Sequence, residues 1–342
     1  MIGKTNATAY NNSHATLTVA APVGATVSIS KGNKKRVKEA VASTKGIVIF
    51  NAVEPGTWTI AISDQEKSAT KTVDIKTNYN VAISFNTIPE FNYTGSYEIV
   101  NDNNESITTS TDGWKIRFLT TGTLTFANTN GASAGIDVFI VGGGGNGGLS
   151  YGGNVGGGLY SAGGGGGGGG YRVTMKNIQV QTGIAYDIVV GGPCGDSVAF
   201  GKTAQCGGNG GNATSNSDGS KYGVGGSGGS SGGRGAMTNS AQPGDGEDGE
   251  YEFGGTSGKR YGAGGGGGSG YNKDTGSSRT AIGGCDGGGG SNEDAIANTG
   301  SGGGGESYPK SGKLPAGKGG SGIVIIRNAR QVVTNEQING KN

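Results

Sequence analysis

Ile136-Asp-Val-Phe-Ile-Val141 runs directly into Gly142-Gly-Gly-Gly-Asn-Gly-Gly148, and the same region closes in reverse at Gly319-Gly-Ser-Gly322 followed by Ile323-Val-Ile-Ile-Arg327. Of 78 glycines, ten precede Gly142 and one follows Gly322, so 67 lie between the two apolar segments. Dense runs begin at Gly142, Gly163, Gly225, Gly264, Gly283 and Gly302. Composition alone suggests disorder, because glycine loses the most entropy on ordering and offers no side chain to bury. The flanking segments argue for order. Each reads as a buried β-strand, and their pairing would make the glycine region an insertion with fixed ends. Strand-like text also lies inside it, at Tyr171-Arg-Val-Thr-Met175 and Ala185-Tyr-Asp-Ile-Val-Val190.

An ordered glycine region needs a geometry in which backbones satisfy one another. Polyproline-II conformation has three residues per turn and no internal hydrogen bonds, so its amides and carbonyls must bond to neighbouring chains. Glycine allows this because it keeps the donor that proline lacks. With only 7 prolines and no strict triplet repeat, collagen is excluded. The expectation is an intrachain bundle of polyglycine-II helices, in which an eight-residue run reaches about 25 Å.

Upstream, the text is conventional. Leu17-Thr-Val19, Ala25 to Ser30, Ile47 to Phe50, Thr57 to Ile62, Thr70 to Ile75 and Val81 to Phe85 alternate apolar and polar residues between turns, as in a β-sandwich. Trp58, Ile60 and Ile62 share one face, which makes Trp58 a core residue. Further strands around Tyr93, Tyr97, Trp114 to Phe118 and Leu124 to Phe126 suggest a collar. The protein is thus expected to be all-β. Its expected parts are a sandwich over 1–86 with a polar leader over 1–13, a β collar over 87–135, a polyglycine-II domain over 136–330 closed by its flanking strands, and a polar tail over 331–342.

Charge and composition narrow the function. The 27 Lys+Arg against 25 Asp+Glu give a formal net charge of +2, so no global field draws nucleic acid or a membrane surface. No stretch approaches the ~20 apolar residues of a membrane span, and the N-terminus lacks the apolar core of a signal peptide. Cys194, Cys206 and Cys285 cannot all pair, so free thiols are expected, with a Cys194–Cys206 bridge as the alternative. His14 is the only histidine, which removes Ser-His-Asp, Cys-His and polyhistidine chemistry within one chain. The chain therefore reads as a non-enzyme with no cofactor and no metal.

Two decoys deserve rejection on physical grounds. Gly142, Gly144 and Gly147 match G-x-G-x-x-G after a strand, but the following glycine-rich text cannot make the helix that a dinucleotide site requires. Asp245-Gly-Glu-Asp-Gly-Glu250 could hold a cation through clustered carboxylates, but it lacks the spacing of a calcium loop and reads first as a solvated turn.

Binding is left to surfaces. Nine of the 13 tyrosines lie in the glycine region, mostly where runs begin or end. They either sheathe the bundle or stand on exposed turns as contact residues. The candidates are Tyr151, Tyr160, Tyr222, Arg234, Tyr251, Tyr261, Tyr271 and Tyr308. Apart from Arg234, they fall in connections read as 149–155, 159–162, 212–224, 237–261, 271–282 and 291–308. Lys31, Lys34, Lys35, Arg36 and Lys38 form a basic hairpin, either solvated or touching an anionic polymer.

The succession GATVSISKG, GIVIFNAVEPGTWTIAI and ATKTVDI resembles the small Ig-like or prealbumin-like modules of phage and prophage tail proteins of Firmicutes. The block WKIRFLTTGTLTF, IDVFIVGGGGNGG, GGGGGGGGYRVTMKNIQV, AYDIVVGG and GKGGSGIVIIRNAR resembles the glycine-rich domain that ends many such proteins. In kind it is similar to the polyglycine-II adhesins of T-even-type phages. The resemblance implies a virion tail fibre protein that attaches to other tail proteins and recognises a host bacterial surface receptor, protein or glycan. The alternative is a structural tail or decoration protein whose glycine lattice is a spacer.

Overall fold

A computed structural model describes residues 14–329 except 22, 42–43, 45, 64–67, 84–87, 108–113, 130–131, 133–134, 156–157, 215–222, 237–241, 273–275 and 278. The expected leader and tail therefore lie outside the described residues. The all-β class holds: apart from one 3-10 turn at Glu252–Gly254, the named elements are strands. The chain divides into two compact units, of which the first is built mainly on residues 1–87 and the second on 88–129 and 135–329.

The first unit contains β1 (Ala15–Ala20), β2 (Thr26–Lys31), β3 (Lys34–Glu39), β4 (Ile47–Val53), β5 (Gly56–Ser63), β6 (Ser68–Ile75) and β7 (Tyr79–Ala82). They form a three-stranded sheet, β4-β1-β7, and a four-stranded sheet, β3-β2-β5-β6. Alternation along the strands sends Leu17, Val19, Val27, Ile29, Phe50, Trp58 and Ile60 into one shared core. Trp58 is buried, and its indole N–H donates to the Glu54 carbonyl at 2.8 Å. The basic hairpin turns back on its own unit. Arg36 and Lys38 each donate at 2.6 Å to β4 carbonyls, those of Asn51 and Ile49, while Lys34 pairs with Glu54.

The second unit opens with β8 (Phe91–Tyr93), β9 (Tyr97–Val100), β10 (Lys115–Phe118), β11 (Gly122–Phe126) and β12 (Ile136–Val141). There follow β13 (Tyr151–Val155), β14 (Gly158–Ala162), β15 (Arg172–Ile178), β16 (Ala185–Val189), β17 (Ser197–Ala199) and β18 (Lys202–Ala204). Short pairs β19 (Glu250–Tyr251), β20 (Arg260–Tyr261), β21 (Tyr271–Asn272) and β22 (Gly276–Ser277) precede the closing β23 (Ile323–Asn328). Ile136 to Val141 pair antiparallel with Asn328 to Ile323 in unbroken register, so the two apolar segments of the sequence do clamp the glycine region between them. The strands of the expected collar are woven into the same unit. β9 and β10 extend that clamp into the sheet β15-β12-β23-β10-β9, while β8 and β11 join β18-β17-β16-β11-β8. Ile116, Phe118, Val138, Ile140 and Ile326 of one sheet and Leu124, Phe126 and Ile188 of the other are fully buried.

The glycine runs carry no assigned helix or sheet, so the expected polyglycine-II helices are not among the regular elements of the fold. The runs are instead joined to one another by backbone hydrogen bonds. Amides of Gly163, Gly166 and Gly169 donate to Ala236, Gly233 and Ser230; those of Gly164, Gly167 and Gly170 to Glu306, Gly303 and Gly300; those of Gly165 and Gly168 to Gly211 and Gly208. The carbonyls cycle in the same way. Those of Gly163, Gly166 and Gly169 accept from Gly223, Gly226 and Gly229, those of Gly164 and Gly167 from Gly268 and Gly265, and those of Gly165 and Gly168 from Gly148 and Gly145. Donors and acceptors thus rotate through successive neighbours every third residue, and this central run touches six others. A Cβ at any position from Gly163 to Gly170 would run into a neighbour's carbonyl oxygen, for example that of Gly145 above Gly167. Glycine is required there by contact between backbones rather than by dihedral freedom.

Candidate functional site

The hydrogen bonds also order the array along its length. Where β12, β15 and β23 meet it, Gly142 donates to Tyr171, Gly170 to Gly300 and Gly262 to Thr299. At the opposite end Ala213 donates to Leu149, Gly163 to Ala236, Glu306 to Gly148 and Tyr308 to Ser269. Leu149, Ala162, Ala213, Ala236, Gly270 and Ser307 therefore stand at the end remote from the clamp, and 249–261 leaves from the clamp end. The connections read from sequence as 237–261 and 291–308 are not single loops. Each contains an array segment, because Gly244 and Glu247 bond to Arg234 and Ser231, and Gly302 to Ala263.

This ordering sorts the candidate residues. Tyr151, Tyr160, Tyr271 and Tyr308 belong to the remote end. The first three sit on the sheet β13-β14-β21-β22, where Tyr151 pairs with Ala162, Tyr160 with Asn272 and Ser161 with Tyr271. Alternation puts Tyr151 and Tyr160 on one face and Tyr271 on the other, with Gly152 and Ser161. A Cβ at Gly152 would strike the Tyr308 ring, so that ring lies on the Tyr271 face, and the Ser161 hydroxyl donates to the Tyr308 carbonyl. Tyr151 is exposed, and Tyr160, Tyr271 and Tyr308 are half-buried. The hairpin base is held by Glu306, which accepts from the Ser150 amide at 2.7 Å and pairs with Lys313 at 3.0 Å. Arg234 is exposed and lies near the remote end of its run, while Tyr222 falls outside the described residues.

The clamp end holds the other two. Tyr261 is fully buried and cannot meet a partner: its ring packs on Phe139 at 5.7 Å, beside Phe253, Ile323 and Ile325. The physical reason is that the outward face of β12 and β23 carries Phe139, Val141, Ile323 and Ile325 and needs a cover, which the 250–261 loop supplies. Tyr251 is half-buried and lines a cleft of about 450 Å³ with Asp248, Glu250, Gly254, Gly255 and Arg260. Arg260 stacks on the Tyr251 ring at 4.9 Å and pairs with Asp248, while Arg172 reaches Glu250 at 3.0 Å. The Cys285 amide, followed by Arg260, holds the Asp248 carboxyl below the usual carboxylate range. The sequence points to Tyr251 and to the acidic stretch ending at Glu250 separately; the cleft forms because the connection from Asp248 to Arg260 folds back on itself, which no local pattern encodes.

Of the remaining two tyrosines in the glycine region, Tyr171 is exposed and Tyr186 sheathes. Tyr186 packs against Phe200 at 5.1 Å and Phe126 at 6.2 Å. The cysteines are free thiols, and Cys194 lies 2.9 Å from the Asn209 side-chain oxygen. Among the described residues no cluster of three or more His, Cys, Asp or Glu is arranged to hold a metal, and no helix is long and apolar enough to cross a membrane.

An all-β unit whose glycine runs share one hydrogen-bonded array between clamping strands defines a glycine-rich domain. The chain belongs to the glycine-rich domain family, which matches residues 119–329. No curated protein matches it.

Proposed function

We propose that the protein is a phage tail receptor-binding adhesin that touches a host bacterial surface receptor through the remote connections of its glycine array. The observation that carries this reading is the gathering of Tyr151, Tyr160, Tyr271 and Tyr308 at one end of a backbone-locked scaffold. Rigid scaffolds that present chemically varied turns are suited to recognition, because the turns contribute little to the core and lose little entropy on binding. The three-residue cycle of bonds favours polyglycine-II helices as the scaffold, since that geometry has three residues per turn and no bonds within a segment. In this reading the N-terminal unit joins other tail proteins, and the site of action is the virion tail.

The test is binding of the purified chain to a panel of Firmicutes cells. Tyr151→Ala with Tyr160→Ala should abolish capture of the bound strains while leaving the melting temperature unchanged. Undiminished capture by that variant would leave the glycine array as a spacer in a structural tail protein.

A further inference from the structure

The clamp-end cleft lies at the opposite end of the array from the receptor-facing tyrosines, and its construction points to a ligand of its own. Its loop is pinned on both sides. Phe253 holds a left-handed backbone at φ 56°, a conformation that a non-glycine residue adopts only when its surroundings enforce it. The enforcement is visible: the Phe253 ring is buried against Phe139 at 5.5 Å and beneath the Arg327 guanidinium at 4.0 Å. Next to it, Glu252 is fixed by a buried ion pair with Lys115. The strained residue thus faces the core while its neighbours Gly254 and Gly255 line the cleft. A Cβ at Gly254 would meet nothing within 4 Å, so the lining is open on that side.

Charge and shape select the ligand. Asp248 and Glu250 are balanced by Arg260 and Arg172, which leaves the cleft close to neutral. An anion would meet two carboxylates, and a metal ion would have to strip both from their arginines. Glu250, whose side chain is 69% exposed, has acceptor lone pairs beyond those that Arg172 engages. Tyr251 offers an aromatic wall braced by Arg260, whose guanidinium also donates to the Tyr251 hydroxyl at 3.2 Å. An aromatic wall flanked by acceptors and a donor matches a ring with one apolar face and a rim of hydroxyls. We infer that this cleft, lined by Asp248, Glu250, Tyr251 and Arg260, binds a neutral saccharide of one or two rings. The inference does not rest on the adhesin reading, because the two sites share no residue.

The experiment titrates the full chain, with amide resonances followed by NMR, using glucose, galactose, N-acetylglucosamine and their β-linked disaccharides, and glucose 6-phosphate as the charged control. At least one neutral sugar should shift the amides of Gly249, Gly254 and Gly255, with the phosphorylated sugar at least tenfold weaker. Tyr251→Ala should weaken binding at least tenfold. Glu250→Gln, a substitution at an exposed side chain, should weaken it several-fold without changing the melting temperature, and Tyr151→Ala should leave it unchanged. The inference is overturned if no neutral sugar shifts those amides, if the phosphorylated sugar binds more tightly, or if Glu250→Gln retains the affinity of the parent.

Discussion

The amide of Gly147 donates to the carbonyl of Gly317 at 2.9 Å, so the first glycine run of the array is held directly by the last. Gly317 donates in turn to Gly304, and Gly303 to Gly145, which closes a circuit of backbones with no side chain in it. In such a circuit the cost of a substitution is set by the oxygen that a new Cβ would meet.

Gly167→Ala should therefore destabilise the protein by about 1 to 3 kcal/mol or more, an overpacking penalty, because its methyl group would enter the space of the Gly145 carbonyl. Gly192→Ala should be close to neutral, since a Cβ there meets nothing within 4 Å. Thermal melts of the two variants check this, and equal melting temperatures would contradict the array.

Glu252→Gln should cost about 3 to 5 kcal/mol, because it leaves the ammonium of Lys115, 1% exposed, without its ionic partner. The double variant Lys115→Met, Glu252→Met should recover much of that loss. Urea unfolding of the three proteins measures the difference.

Alkaline unfolding should be steep. Burial pushes the Tyr93 hydroxyl up to about 12 and raises Tyr261 as well. A tyrosine in the unfolded chain loses its proton near pH ~10. Between these values the folded state holds more protons than the unfolded one, so stability is intact below pH ~10 and falls as the pH rises towards 12. Tyr93→Phe should flatten that fall in denaturation midpoints measured from pH 8 to 11.5.

The basic hairpin should prove to be an edge guard. Arg36 and Lys38 occupy the Asn51 and Ile49 carbonyls of β4, which has a partner strand on only one side. Arg36→Ala with Lys38→Ala should raise self-association in sedimentation experiments. Unchanged sedimentation would mean that the edge is blunted by something else.

Much of this architecture is legible in the sequence alone. Ile136 to Val141 and Ile323 to Arg327 announced their pairing by composition, and Trp58 announced its burial by alternation with Ile60 and Ile62. What stayed hidden depends on contacts distant in sequence. Tyr261 sits on a two-residue strand with no periodicity to read, and its cover role follows from Phe139 in another part of the chain. Lys115 and Arg117 alternate with apolar residues along β10, yet they are buried because Glu252 and Glu98 come to meet them. The sorting of tyrosines between the two ends required the direction of every run, which glycine repeats do not encode.

The long reach of the clamp has a consequence for biogenesis. In the first unit, β1 to β7 find their partners within residues 15–82, so those sheets can close while the rest is still being made. β12 must wait for β23, and Gly144 for the carbonyl of Gly320. At about 5 to 20 residues per second, β15 reaches one edge of Ile136 to Val141 within a few seconds, but the edge that β23 will cover stays open for roughly ten to forty seconds. The glycine chain that emerges in the meantime has little that aggregates, whereas the apolar β12 has much. Chaperone demand should therefore centre on six residues, and the whole second unit should fold late and in one step.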